Sequence, residues 1–401
     1  MRLLESVAVR GRSLPLEHYI DVVKEILRRK RTRPVMIDKE GYVETGLEVF
    51  NGLEAIGTRL IPVAEEESEL SVEVPIEQLG FYDNVIGDSA RVYTGLLELL
   101  ERDVPTPLLR IKNLSSNTVT VWAKLEWYHP LSLSIKDRIA WYMVKRAREY
   151  GLLQAERIYE ATSTNTGLGI VGIANYLGLK TRVYLPITAQ HCVDYLFKAL
   201  GSEVVRVPTQ LTVEAVKKVI EDATRDNAYT LNQFENDNNF IVHLKYTAKE
   251  IDYQLRKMGR RPRAIVSGLG TSGHISALAV YFKSMYGDVK VYGVQPSKDS
   301  FIPGLRRVET GMKWLGYAEL DGVTDVSLEE AFNTVIHLAR KEGLLIGLSG
   351  GAVVYAAKKL IEAGAIDGDV VIVIPDHGMK YIELFEYLIE KCVEEPGGAR
   401  E

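Results

Sequence analysis

Cysteine is scarce: Cys192 and Cys392 are the only two in 401 residues. Neither lies in a Cys-x-x-Cys or mixed Cys/His pattern, which argues against structural zinc and against a disulfide framework, and fits a reducing cytoplasm. Long apolar runs are also missing. The run Val370-Val371-Ile372-Val373-Ile374-Pro375 is far shorter than the roughly 20 residues needed to cross a bilayer. It reads instead as a strand buried on both faces. The opening residues Met1-Arg2-Leu3-Leu4-Glu5-Ser6 place a glutamate early and no sustained apolar core, so no secretory signal is expected. Nor does charge of one sign dominate: 49 Lys and Arg stand against 54 Asp and Glu, a net charge of -5. That balance removes the electrostatic basis for general nucleic-acid binding. The one dense basic run, Leu27-Arg28-Arg29-Lys30-Arg31-Thr32-Arg33, ends an amphipathic stretch, where positive charge complements a helix C-terminus.

What is present is an ordinary globular composition, 46% apolar and 26% charged, with a length that suggests roughly two or three domains. Residues up to about 95 carry the basic run, an acidic run around Glu65 and helical patterning near 47–56. From Pro105 onward the texture changes. Strands are expected at 118–125, 157–160, 181–185, 203–207, 264–267, 290–294, 344–346 and 370–374. Helices are expected at 137–150, 169–177, 194–200, 213–225 and 275–282. Alternation at this spacing argues for parallel α/β units with helices on both faces of a sheet.

Gly- and hydroxyl-rich loops follow strand-like runs at Ala161-Thr162-Ser163-Thr164-Asn165-Thr166-Gly167, at Ser267-Gly268-Leu269-Gly270-Thr271-Ser272-Gly273-His274 and at Gly347-Leu348-Ser349-Gly350-Gly351. Ligands bind at such carboxyl ends of parallel strands. The second loop is the best anion cradle: its glycines admit close backbone N–H approach, and the helix after it adds the positive end of its dipole. No Lys-Ser/Thr pair follows, so it is not a nucleoside-triphosphate loop. Lys136 precedes an amphipathic helix, within Ser132-Leu133-Ser134-Ile135-Lys136-Asp137-Arg138. A lone lysine there is ordinarily a solvated charge. A desolvated one loses basicity and becomes an amine nucleophile.

The segment His129-Pro130-Leu131-Ser132-Leu133-Ser134-Ile135-Lys136-Asp137-Arg138 resembles the Asn-Pro-x-x-Ser-x-Lys-Asp-Arg signature of fold-type II pyridoxal-phosphate enzymes, which include cysteine synthase, cystathionine β-synthase and tryptophan synthase β. The loop 162–167 resembles their Thr-Ser-Gly-Asn-Thr-Gly loop, and 270–274 their phosphate cup. The resemblance spans about 105–388. It implies a tryptophan-synthase-β-like α/β fold of two subdomains, the smaller at about 135–235 inserted in a catalytic domain of 96–395. The implied cofactor is pyridoxal 5′-phosphate, carried by Lys136, which then serves as acid and base at the substrate α-carbon. Asn165 is expected on the cofactor's ring oxygen, Gly270, Thr271, Ser272, Gly273 and His274 on its phosphate, and Ser349 on its ring nitrogen. Thr162, Ser163, Thr166 and Gln233 are expected on the substrate carboxylate.

A narrower resemblance is to archaeal O-phosphoserine sulfhydrylase, carried by Pro303-Gly304-Leu305-Arg306-Arg307-Val308-Glu309-Thr310-Gly311, Leu125-Glu126-Trp127-Tyr128, Asn232-Gln233-Phe234 and Pro375-Asp376-His377-Gly378-Met379-Lys380-Tyr381. It implies that Arg306 holds a substrate phosphate, that sulfide is the second substrate, that no metal takes part, and that the enzyme is a cytoplasmic homodimer. Alternatives are an acetylserine sulfhydrylase, a cystathionine synthase or a serine/threonine dehydratase, and, in another class, a cofactor-binding scaffold without activity. His129 departs from the signature's Asn, Thr164 from its Gly, and His377 is expected near the ring edge. Residues 1–95 resemble a ParB/sulfiredoxin-like module. Gly46-Leu47-Glu48-Val49 stands where that fold's phosphate-handling residues would be, which suggests a degenerate module for packing or dimerisation.

Overall fold

The computed structural model describes residues 1–11, 13–66, 68, 70–77 and 91–394, the last four as backbone only. The Cys392 thiol and part of the acidic run fall outside the described residues; Cys192 is a free thiol. Six strands form the larger sheet in the order Gly322–Val326, Lys290–Pro296, Ala264–Gly268, Gly368–Ile374, Val119–Leu125, Leu108–Arg110. All neighbours are parallel except the last pair. The smaller sheet, Arg157–Ala161, Lys180–Pro186 and Glu203–Val207, is parallel throughout. In sequence it lies between Val119–Leu125 and Ala264–Gly268. The apolar run at 370–374 is a central strand whose residues are almost wholly buried. Both faces of such a strand are covered, which is why it reads as continuous rather than alternating.

Three local differences from the sequence pattern have simple causes. The apolar triplet at 344–346 is not a strand: Ile346 forms one isolated bridge to His377, and the chain turns directly into the helix Leu348–Glu362. The strands Leu108–Arg110 and Gly322–Val326 escape notice because they are partly exposed sheet edges, the first only three residues long and the second interrupted by glycine, threonine and aspartate. No helix among the described residues is long and apolar enough to cross a membrane.

The N-terminal region holds two ten-residue helices, Ile20–Arg29 and Leu47–Ile56, beside a small sheet ordered Val43–Thr45, Val35–Ile37, Val63–Ala64. The first helix stops within the basic run, at Lys30, whose left-handed backbone (φ 53°) closes it. Val23, Ile26, Leu53 and Ile56 belong to one continuous apolar cluster with Phe240, Leu244, Ile275 and Leu278 of the catalytic region. Polar links reinforce this contact: Arg146 pairs with Glu54 at 2.8 Å, and the buried Lys249 donates to the carbonyl of Gly57 at 3.1 Å. Removing residues 1–95 is therefore expected to uncover core. Each large aliphatic side chain returned to water costs about 1.5–3 kcal/mol, and several together rival a whole domain's stability of about 5–15 kcal/mol. The truncated chain should be insoluble or melt well below the full chain; equal melting curves would show that the extension adds nothing to the core.

Candidate active site

A cleft of about 960 Å³, partly open to solvent, lies at the carboxyl ends of the strands, with walls from both subdomains. Lys136 is the first residue of the helix Lys136–Glu149 and lines this cleft. The turn before it is tightly held. Asp137 accepts the backbone N–H of Leu131 at 2.7 Å and of Ser132 at 2.9 Å, together with the Ser132 hydroxyl. Ile135 N–H donates to Pro375 O at 2.8 Å. Arg138 reaches backwards into a buried ion cluster, with Glu126 at 2.6 Å and Glu250 at 2.7 Å, and Lys124 meets Glu250 at 2.8 Å. Three successive residues thus do three jobs, and only the lysine faces the cleft. Desolvation by the cleft walls lowers the Lys136 ammonium to about 8; the opposing charge of Asp376 limits that fall and Lys380 adds to it.

The glycine loop follows the strand Ala264–Gly268 and leads into the helix Gly273–Tyr286. Gly270, Thr271 and His274 form cleft wall, while Ser272 and Gly273 sit behind them. Thr271 is oriented by Asn239, whose Nδ2 donates to its Oγ1 at 3.0 Å. A Cβ at position 273 would fall 2.4 Å from the Asn239 Oδ1, so only glycine fits there. Ser272 has φ 73°, and its hydroxyl is buried without a hydrogen-bond partner. The first N–H groups of a helix also have no intrahelical acceptor. Together these donors suit a phosphate. His274 Nε2 lies 2.7 Å from Ser267 Oγ, and burial holds its imidazole neutral, pushed down to about 3.

On the opposite wall, Ser163, Asn165, Thr166 and Gln233 face the cleft. Thr162 does not: its Oγ1 accepts the Gly167 N–H at 2.9 Å and braces the loop from behind. Thr166 donates to Gln233 Oε1 at 2.8 Å, and Gln233 Nε2 donates to Ala161 O at 2.9 Å. The buried Glu160 carboxyl, pushed up to about 7 by desolvation, accepts the Gln233 N–H at 3.0 Å and fixes that segment.

Ser349 lies in the first turn of the helix Leu348–Glu362, on the cleft wall. Arg306 follows a turn at Gly304 (φ 86°) and is 8% exposed. Its Nε donates to Gly270 O at 2.9 Å and its Nη2 to Gly311 O at 3.3 Å, and its guanidinium lies 5.1 Å from the Phe234 ring centroid. Its Nη1 is buried with no partner. Arg307 goes the other way, to Asp325 and Glu309, both at 2.9 Å.

His377 is not on the cleft wall, contrary to the expectation of a place near the ring edge. Its Nδ1 accepts the Met379 N–H at 3.1 Å and its ring meets Trp127 edge-on at 5.8 Å, so it caps a turn. His129 is also buried away from the cleft, 3.5 Å from Glu126. Asp376, Lys380 and Tyr381 were not among the expected site residues, yet Asp376 and Tyr381 line the cleft. The available signal was their position just after the most apolar strand, where ligands of α/β sheets bind.

The fold is tryptophan-synthase-β-like, that of fold-type II pyridoxal-phosphate enzymes, and the cofactor is pyridoxal 5′-phosphate. The chain belongs to that family: the family model described as pyridoxal-phosphate dependent enzyme matches residues 100–376. Within it, the likeness is to cysteine synthases. A probable cysteine synthase of Bacillus subtilis is 34% identical over 290 residues, covering 69% of this chain and 93% of that protein. Cysteine synthase B of Escherichia coli is 32% identical, covering 69% of this chain and 91% of its own length. Among solved structures, an O-acetylserine dependent cystathionine beta-synthase from Helicobacter pylori matches with TM-score 0.65 and 27% identity, over 73% of this chain and 98% of that one. An O-ureido-L-serine synthase matches with TM-score 0.64 and 26% identity, over 73% of this chain and 94% of that one.

Proposed function

We propose that the chain makes L-cysteine from O-phospho-L-serine and sulfide, as an O-phosphoserine sulfhydrylase. The observation that carries this reading is Arg306. Its guanidinium is buried on the cleft wall, donates hydrogen bonds to carbonyl groups, meets no carboxylate among the described residues, and keeps one nitrogen without a partner. A buried cation is costly unless an anion meets it. A phosphate leaving group supplies that anion and matches the planar fork of the guanidinium; an acetyl or hydroxyl group does not.

When bound, the cofactor withdraws electrons from the substrate α-carbon and so acidifies its proton. Lys136 takes that proton and returns it. Gly270, Thr271, Ser272, Gly273 and His274 would hold the cofactor phosphate, and Asn165 its ring oxygen. Ser349 would offer the ring nitrogen a neutral hydroxyl, which would leave the ring less electron-withdrawing than a carboxylate would and suits β-elimination over transamination. Ser163, Thr166 and Gln233 take the substrate carboxylate, with Thr162 bracing their loop. We also propose a homodimer, tested by sedimentation of the intact chain at several concentrations.

The function is tested by product analysis with phosphoserine, acetylserine and serine, each supplied with sulfide or homocysteine. The expected result is cysteine, with kcat/KM highest for phosphoserine. A preference for acetylserine with sulfide, or for serine with homocysteine, would replace this reading by one of the alternative activities. No turnover by the yellow, cofactor-loaded protein would favour the scaffold.

A further inference from the structure

The segment that follows the last strand of the larger sheet reaches across to the smaller subdomain. Gln190 Nε2 donates to Lys380 O at 2.8 Å. Glu383 accepts the backbone N–H of His191 at 3.0 Å and of Cys192 at 2.7 Å, at the start of the helix Cys192–Ala199. The Lys380 side chain lies at the inner end of this bridge and is 10% exposed. Its ammonium donates to Asn165 Oδ1 at 2.6 Å, to Ser132 O, and to Leu133 O at 3.4 Å. Both carbonyls belong to the turn just ahead of Lys136, where Leu133 has a left-handed backbone with φ 50°. On the other side of the same amide, Asn165 Nδ2 donates to Asp376 Oδ2 at 2.9 Å, and the Tyr381 hydroxyl donates to that same oxygen.

The two ends of an asparagine amide are almost equal in shape but opposite in hydrogen-bonding sense. An ammonium only donates and an ionised carboxylate only accepts. Held between Lys380 and Asp376, the Asn165 amide has one workable orientation, with its oxygen toward the lysine. The nitrogen then spends one N–H on Asp376 and has a second to offer, beside the Tyr381 hydroxyl.

We propose that Lys380 is a positioning residue that locks the Asn165 amide so that this second N–H is presented to the cofactor's ring oxygen, and that ties it to the turn carrying Lys136. The proposal rests on the assignment of Asn165 made under Proposed function. The Lys380 ammonium also lies 3.7 Å from Asp376 Oδ2. A strut that merely satisfied carbonyl groups and paired with Asp376 would not account for the contact with Asn165.

The test uses four holoenzyme variants: Lys380→Met, Lys380→Arg, Asn165→Ala and the double variant Lys380→Met/Asn165→Ala. The readouts are the ratio of the long- to the short-wavelength absorption bands of the bound cofactor, and the melting temperature. Loss of one hydrogen bond of ordinary net strength should change the band ratio by roughly 3- to 10-fold. Lys380→Met should show this change, Asn165→Ala should match it in direction, and the double variant should add nothing beyond the loss of the Lys380 charge that Asp376 and Lys136 also feel. Lys380→Arg, which keeps a charged donor, should restore the wild-type spectrum. If Lys380→Met is insoluble, Lys380→Gln carries the same comparison, because a neutral amide offers both a donor and an acceptor and cannot fix the flip. A lowered melting temperature with a wild-type spectrum in Lys380→Met, or additive spectral changes in the double variant, would overturn the role of Lys380 alone. An unchanged spectrum in Asn165→Ala would overturn the Asn165 assignment, and this proposal with it.

Discussion

Replacing Arg306 with alanine is expected to lower kcat/KM for O-phosphoserine by roughly 30-fold or more while leaving turnover of O-acetylserine almost unchanged. Removing one partner of a desolvated charge pair costs on the order of 2–5 kcal/mol, and each 1.36 kcal/mol is about tenfold in rate. The geometry sharpens the contrast with the neighbouring arginine. Arg306 turns into the cleft and retains an unpartnered nitrogen, whereas Arg307 is bound to Asp325, Glu309 and the carbonyl of Pro296. Arg307→Ala should therefore affect both donors equally and weakly, through the local fold. Measuring kcat/KM for both donors in the wild type and the two single variants settles the matter. Equal losses with both donors in Arg306→Ala would make that arginine structural and remove the main physical support for phosphoserine.

Lys136→Ala is expected to have the largest effect of any single change. On the proposed assignment it removes both the amine that carries the cofactor and the group that moves the α-proton; general acid–base catalysis alone contributes typically about 10²- to 10⁴-fold. Turnover should fall by about 1,000-fold or more, and borohydride should no longer trap cofactor on the peptide containing position 136. Labelling of another lysine in the wild type would contradict the assignment. Burial brings the Lys136 ammonium down to about 8, so at pH 7 roughly a tenth is the neutral nucleophile, far more than for a free lysine near 10.4. Cofactor uptake by the apo-protein should accordingly speed up as pH rises through about 8. The stability consequence has a definite sign. The folded state holds this group below its unfolded value, so Lys136 adds stability above about pH 10.5 and that contribution is lost as pH falls through about 8. Lys136→Met should flatten this dependence in apo-protein melts.

Much of the molecule could be read along the chain because its signals are local. The central strands at 264–267, 290–294 and 370–374 are apolar runs bounded by turn residues, and a strand covered on both faces must look that way. The lysine signature and the glycine loop are also local, because a phosphate cup is made by consecutive backbone groups before a helix. The sequence by itself therefore determined the parallel α/β architecture and the cofactor class, and it singled out Lys136, the glycine loop and Arg306, which the fold brings to one cleft. Neighbours on an extended segment point to opposite sides, and Arg306 and Arg307 do diverge.

Tertiary structure decided the rest. Whether 344–346 pairs as a strand depended on neighbours it does not have, for Ile346 meets only His377 before the helix Leu348–Glu362 begins. The place of His377 depended on Trp127 and on the turn it caps, not on its nearness to the apolar strand. The contact that joins Lys380 to Asn165 brings together residues 215 positions apart, and nothing in either stretch alone announces it. Likewise, the extension covers a core whose other half comes from Phe240 and Ile275. Local motifs are written in consecutive residues because consecutive backbone groups build them. Orientation of a side chain, closure of a cleft and sharing of a core are set by contacts between distant segments, and only the folded chain brings those segments together.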